Sequence, residues 1–148
     1  MCVYLCMGTT KLFDPEVSYS AAEGIGFTSM ITIIRDGVKF NLFMKLVKQT
    51  PFTILEWSHF LHISERTMHR YQTEKKSFDT TQSEKIVQIA MLYKKGTEVF
   101  SDAFLFNQWL ISNNIALGNK TPKSFLDTSL GISLLMDELI KIEHGIFA

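Results

Sequence analysis

Cysteine is almost absent from this chain: Cys2 and Cys6 lie in an apolar start and no later cysteine follows to pair with them. That excludes a disulfide framework, and a single four-residue spacing lacks the second ligand pair a structural zinc site needs, so both read as reduced cytosolic thiols. Net charge is absent too, with 15 basic and 15 acidic side chains. A protein that coats nucleic acid by bulk charge is thereby excluded. The stretch Met1–Met7 lacks a basic flank and is too short for a signal peptide's apolar segment or a membrane span, so a cytoplasmic protein with no membrane partner is expected. Also missing are a glycine-rich phosphate loop, a nucleophile elbow and a matched acid–base pair, which argues against an enzyme and against a cofactor. Strand-like alternation and internal repeats do not occur.

What is present is a core-forming, helical chain. Of 148 residues 46% are hydrophobic, enough for one real core or two very small ones. Charge is polarised along the chain. Residues 1–25 carry one lysine against three acids; residues 26–95 carry eleven basic against six acidic side chains, a net +5; residues 96–148 carry three against six, a net −3. A nucleic-acid-binding module followed by a protein-binding module would show this asymmetry.

The first 26 residues mix Gly, Pro, Ser and Thr without periodicity and read as a flexible arm. Thr28 or Ser29 is expected to cap a helix through Arg35, ended by Asp36-Gly37. Phe40, Phe43, Met44 and Val47 then recur at helical spacing. Thr50-Pro51 is expected to stop that helix and start the next, which runs to about His62 and turns Leu55, Phe60 and Leu61 toward the core. Ser64 offers an N-cap for a further helix to about Lys75, and a longer helix follows Asp79.

Residues Ile54–Tyr71 have the organisation of a helix-turn-helix: small Ser58 where the helices cross, Ile63 plugging the turn, and Ser64 opening the second helix. Ser64, Arg66, Thr67, His69, Arg70 and Thr73 are the candidate DNA contacts, the two guanidinium forks able to read guanine edges or grip phosphates. The competing interpretation is a merely solvated helix face. Glu65 repels phosphate but can accept from a cytosine amine. His59, His62 and His69 lack a carboxylate partner at ligand spacing, so no metal is expected.

The C-terminal third carries Thr97-Glu98-Val99-Phe100, Trp109-Leu110, Ala116 to Pro122, Phe125-Leu126-Asp127-Thr128, Gly131 and the closing Ile142-Glu143-His144-Gly145-Ile146-Phe147-Ala148. Thr121-Pro122 marks a helix entry and Thr128 a cap for the last helix, whose stripe is Ile132, Leu135, Leu139 and Ile142, with Leu134 and Met136 widening the apolar surface. Gly145 suits the position just past that helix. Trp109 and Phe125 are expected in the core. The terminal Ile146 and Phe147 either dock in a partner or fold back onto the helix.

In order and spacing these pieces resemble the toxin-binding domain of Xre/MbcA/ParS-type antitoxins along nearly its whole length. The sequence departs from that pattern at Asn119, where a second Gly is common, at Asn114-Ile115, where Asn-Pro is common, and at His62, where Xre-type repressors commonly carry Gly. The resemblance implies an all-α fold: a small N-terminal Xre-like helix-turn-helix domain, then a compact C-terminal helical toxin-binding domain. The expected division is 1–26 arm, 27–95 DNA-binding and dimerisation domain, 96–148 toxin-binding domain. It also implies the antitoxin of a type II toxin–antitoxin system: a homodimer that represses its own operon at an operator and neutralises a cognate toxin of the RES type, which degrades NAD. Leu126, Thr128, Glu143, His144, Gly145, Ile146, Phe147 and Ala148 are the candidate toxin contacts. The alternative is a stand-alone helix-turn-helix transcriptional regulator that uses the C-terminal domain for oligomerisation.

Overall fold

The computed structural model describes residues 25–145. The expected flexible arm, apart from its last two residues, and the terminal Ile146, Phe147 and Ala148 lie outside them. The described residues form seven α-helices: α1 Ile25–Asp36, α2 Phe40–Gln49, α3 Ile54–Phe60, α4 Glu65–Glu74, α5 Thr80–Phe100, α6 Ala103–Ile111 and α7 Ser129–Glu143. Two 3-10 turns, Ile115–Leu117 and Pro122–Phe125, join α6 to α7. Only isolated bridges, Lys39 to Ser77 and Asn114 to Lys120, add extended pairing among these residues. The all-α architecture expected from periodicity is the one observed.

Helix α5 is the spine. Its 21 residues open on a capping box, in which Asp79 accepts from the Gln82 amide at 2.7 Å and the Gln82 side chain accepts from the Asp79 amide. Apolar side chains are distributed around it rather than confined to one stripe, with Ile86, Val87, Ile89 and Leu92 all buried. A helix apolar on several sides must be covered on several sides. Helix α1 packs on it from the N-terminal half, while α6 folds back and α7 lies along it in the C-terminal half. The core is continuous across both halves.

Aromatic rings fill the N-terminal half. Trp57 is fully buried, edge-on to Phe43 at 5.2 Å, and Phe52 meets Phe60 at 5.3 Å. Edge-to-face packing places the positive ring rim on the negative face of the neighbour. In the C-terminal half Phe106 stacks on Trp109 at 5.8 Å and meets Tyr93 at 5.4 Å.

Several local expectations need correction. Thr28 and Ser29 lie inside α1, not at its start, and the Thr32 hydroxyl donates to the Thr28 carbonyl. Pro51 does not open α3. Thr53 does, through a capping box with Glu56 whose Oε2 accepts from the Thr53 amide at 2.9 Å. Leu55 is 58% exposed and does not face the core. Thr121 precedes a 3-10 turn, not an α-helix, and its side chain makes no cap bond. Trp109 and Phe125 are half-buried, packed against the core from its edge.

Candidate nucleic-acid interface and partner surface

Helices α3 and α4 form the helix-turn-helix. Ser58 is buried at their crossing and donates back to the Ile54 carbonyl at 2.9 Å, so the hydroxyl is satisfied without widening the contact. The chain reverses at His62, whose φ of 55° is left-handed, and the Ile63 amide closes the turn on the Ser58 carbonyl at 3.0 Å. Ser64 then caps α4, accepting from the Thr67 amide at 3.1 Å. Met68 anchors the inner face of α4 at 1% exposure.

Arg66, His69, Arg70 and Thr73 lie together on the exposed face of α4, while Thr67 is half-buried. The Ser64 and Thr67 hydroxyls bond one another at 2.9 Å, and the Thr73 hydroxyl donates to the His69 carbonyl at 3.0 Å. Those three groups therefore shape the helix, and the free chemistry of the face belongs to Arg66, Arg70 and His69. Arg70 lies 6.0 Å from the Tyr71 ring centroid. Lys75 ends the helix in a left-handed conformation, φ 51°.

The C-terminal half presents its surface on α7. Thr128 caps the helix by accepting from the Gly131 amide at 3.0 Å. Ile132, Leu135 and Leu139 form the buried stripe, and Glu138, itself nearly buried, bonds Lys141 at 2.7 Å. On the outer side Leu130 is 83% exposed, and Leu134 and Ile140 are also open. Glu143 pairs with Lys95 at 2.7 Å, which holds its carboxyl below the usual range: the Lys95 hydrogen bond lowers it, the slight burial opposes that, and the charges of Lys95 and His144 add to the lowering. His144 is exposed at the helix end, and Gly145 follows with φ 70°.

Leu126 is corrected by its surroundings. At 1% exposure it is part of the core, so it shapes the loop before α7 from within and offers no contact surface. Thr128 is exposed but its hydroxyl is committed to the cap. Reasoning from sequence missed the apolar face of α6, where Phe104, Leu105 and Ile111 are exposed and Ile115 follows in the next turn. The signal was available: a nine-residue helix reading Ala-Phe-Leu-Phe-Asn-Gln-Trp-Leu-Ile has more apolar side chains than one packed face can cover.

Between the two halves an open cavity of about 610 Å³ is lined by Leu55, Glu56 and His59 of α3 and by Ile111, Lys123 and Asp127. Polar ties cross beside it. Lys123 pairs with Glu56. The Asp127 carbonyl accepts from Lys85 Nζ at 2.7 Å and lies 2.7 Å from His62 Nε2. Burial pushes the Lys85 ammonium below its usual range, and the Asp127 charge only partly opposes this. Among the described residues no three His, Cys, Asp or Glu side chains cluster as metal ligands, and no helix is long and apolar enough to cross a membrane.

Residues 29–91 match the family model for the antitoxin Xre-like helix-turn-helix domain. Residues 95–145 match the model for the antitoxin Xre/MbcA/ParS C-terminal toxin-binding domain. The first match ends and the second begins inside α5, with residues 92–94 between them, so one unbroken helix carries the chain from the first match into the second. A search of the curated proteins found no match to the chain.

Proposed function

The chain belongs to the Xre/MbcA/ParS-type antitoxins of type II toxin–antitoxin systems, and on that premise we propose that it neutralises a RES-type, NAD-degrading toxin through α7 and represses its own operon as a cytoplasmic homodimer. The observation that carries the toxin half is the outer face of α7: Leu130, Leu134 and Ile140 stand open beside Asp137, Glu143 and His144, within the matched toxin-binding domain. Exposed apolar side chains rimmed by charge are the composition of a protein interface. The −3 charge of residues 96–148 complements the basic groups an NAD-consuming enzyme needs around dinucleotide phosphates.

On the DNA side the exposed Arg66, His69 and Arg70 of a capped second helix have the placement that enters a major groove. Two such helices in a homodimer would read two half-sites.

Co-expression with the RES-type toxin it is proposed to neutralise tests the reading. Cells should regain growth, and the toxin should co-purify. Replacing Leu130 and Leu134 with Asp, or removing Ile142 to Ala148, should abolish both. Rescue that survives both changes would move the toxin contact away from α7 and the tip. A chain that binds its promoter but no toxin would leave the stand-alone regulator.

A further inference from the structure

We propose that His62 is a positioning residue that couples the DNA-reading helix to the partner-binding loop through its hydrogen bond to the Asp127 carbonyl; the inference rests on the DNA and partner roles assigned above. His62 sits in the left-handed region, φ 55°, where glycine is the unstrained choice. A β-carbon there is a cost the backbone turn itself does not require. The imidazole supplies what glycine would not: a donor that reaches across 65 positions of sequence to the second domain, 2.7 Å from Nε2 to oxygen. A carbonyl can only accept, so Nε2 carries the proton.

Both ends of this bond are placed to act. Two residues beyond His62, Ser64 caps α4, and two further on stands Arg66. On the other side Asp127 lies between buried Leu126 and Thr128, the cap of α7, and three residues before exposed Leu130. The loop packs closely on the start of α7: a β-carbon on Gly131 would stand 2.1 Å from the Phe125 carbonyl oxygen. Lys85, from the shared helix α5, donates to the same carbonyl and fixes it from a second side. A partner that displaces the start of α7 therefore moves the turn that aims α4, and DNA in turn restrains the loop, because coupling between sites is reciprocal.

Hydrogen–deuterium exchange of the full chain tests this, with and without a duplex carrying the DNA directly upstream of its own reading frame. In the unaltered protein DNA should slow exchange in the first turn of α4 and also at Gly131 and Ile132, by about fivefold or more, the lower end of ordinary coupling. His62→Gly relieves the backbone and removes the ring, so it should keep the α4 effect and lose that at Gly131 and Ile132. Lys85→Met leaves the turn untouched and should weaken the distant effect in part. Retention of the distant protection in His62→Gly overturns the proposal, as does its absence from the unaltered protein. No protection of α4 would overturn the DNA assignment itself, and the coupling with it.

Discussion

The Phe106 ring occupies the space where a side chain on residue 96 would begin: two of its carbons lie 2.2 Å from the position a β-carbon on Gly96 would take. Gly96 is buried inside α5 towards its C-terminal end, where glycine costs backbone entropy, so the close approach of α6 explains its use. Gly96→Ala is expected to destabilise by about 1–3 kcal/mol despite its better helix propensity, as overpacking outweighs the propensity gain. Urea unfolding should show a lower midpoint with an unchanged slope.

The sequence made the helix-turn-helix and the limits of the last helix legible because their signals are local. Ser64 and Thr128 are caps, His62 takes the left-handed turn position, and Gly145 follows the last helix with positive φ. What misled was also physical. A seven-residue helix makes fewer than two turns, so Ile54, Leu55, Trp57 and Phe60 span most of its circumference and periodicity does not say which side is buried. Thr53 and Glu56 formed a readable capping box that outranks Pro51 as a start signal. The ties from His62 and Lys85 to Asp127, and from Glu56 to Lys123, join residues far apart in sequence, and no local pattern encodes them. The same holds for Leu126, whose burial depends on how α7 docks.

Glu56 should give the protein an acid-sensitive joint. Burial alone would raise its carboxyl, but hydrogen bonds from Lys123 and Thr53 and the Lys123 charge outweigh that, and the net shift is downward. A lowered folded-state value means stabilisation that is complete above the unfolded carboxylate range, about 4.3, and is lost as pH falls through the lower folded value. Glu56→Gln should cost about 0.5–2 kcal/mol at neutral pH. Its deficit against the unaltered protein should shrink as the pH drops below about 4, measured by chemical unfolding across the range. A constant deficit would assign the loss to packing instead.

Leu126 and Leu130, four residues apart, should separate stability from recognition. Leu126→Ala removes a core side chain and is expected to destabilise by about 2–5 kcal/mol. Leu130→Ser alters a side chain that is 83% exposed, so stability should stay within about 0.5 kcal/mol while toxin capture weakens. Thermal melting and pull-down on the same two variants would show the effects in opposite assays.

Arg66 and Arg70 are one helical turn apart on the same exposed face, and DNA binding should tell them apart by salt and by sequence. An arginine that only neutralises a phosphate contributes about 0.9 to the slope of log affinity against log salt, equally on every duplex. One that grips a guanine edge contributes about 1–3 kcal/mol on the matching duplex and little elsewhere. Arg66 lies in the first turn of α4, the end that penetrates deepest in this docking geometry, so Arg66→Ala should erase discrimination between matched and altered duplexes. Arg70 lies further along the helix, so Arg70→Ala should lower the salt slope by about one while preserving that discrimination. If both substitutions leave affinity and slope unchanged on the chain's own promoter, α4 is not the reading helix, and any DNA contact must use other exposed basic side chains of residues 26–95, such as Lys39, Lys45 and Lys48 on α2 and its approach.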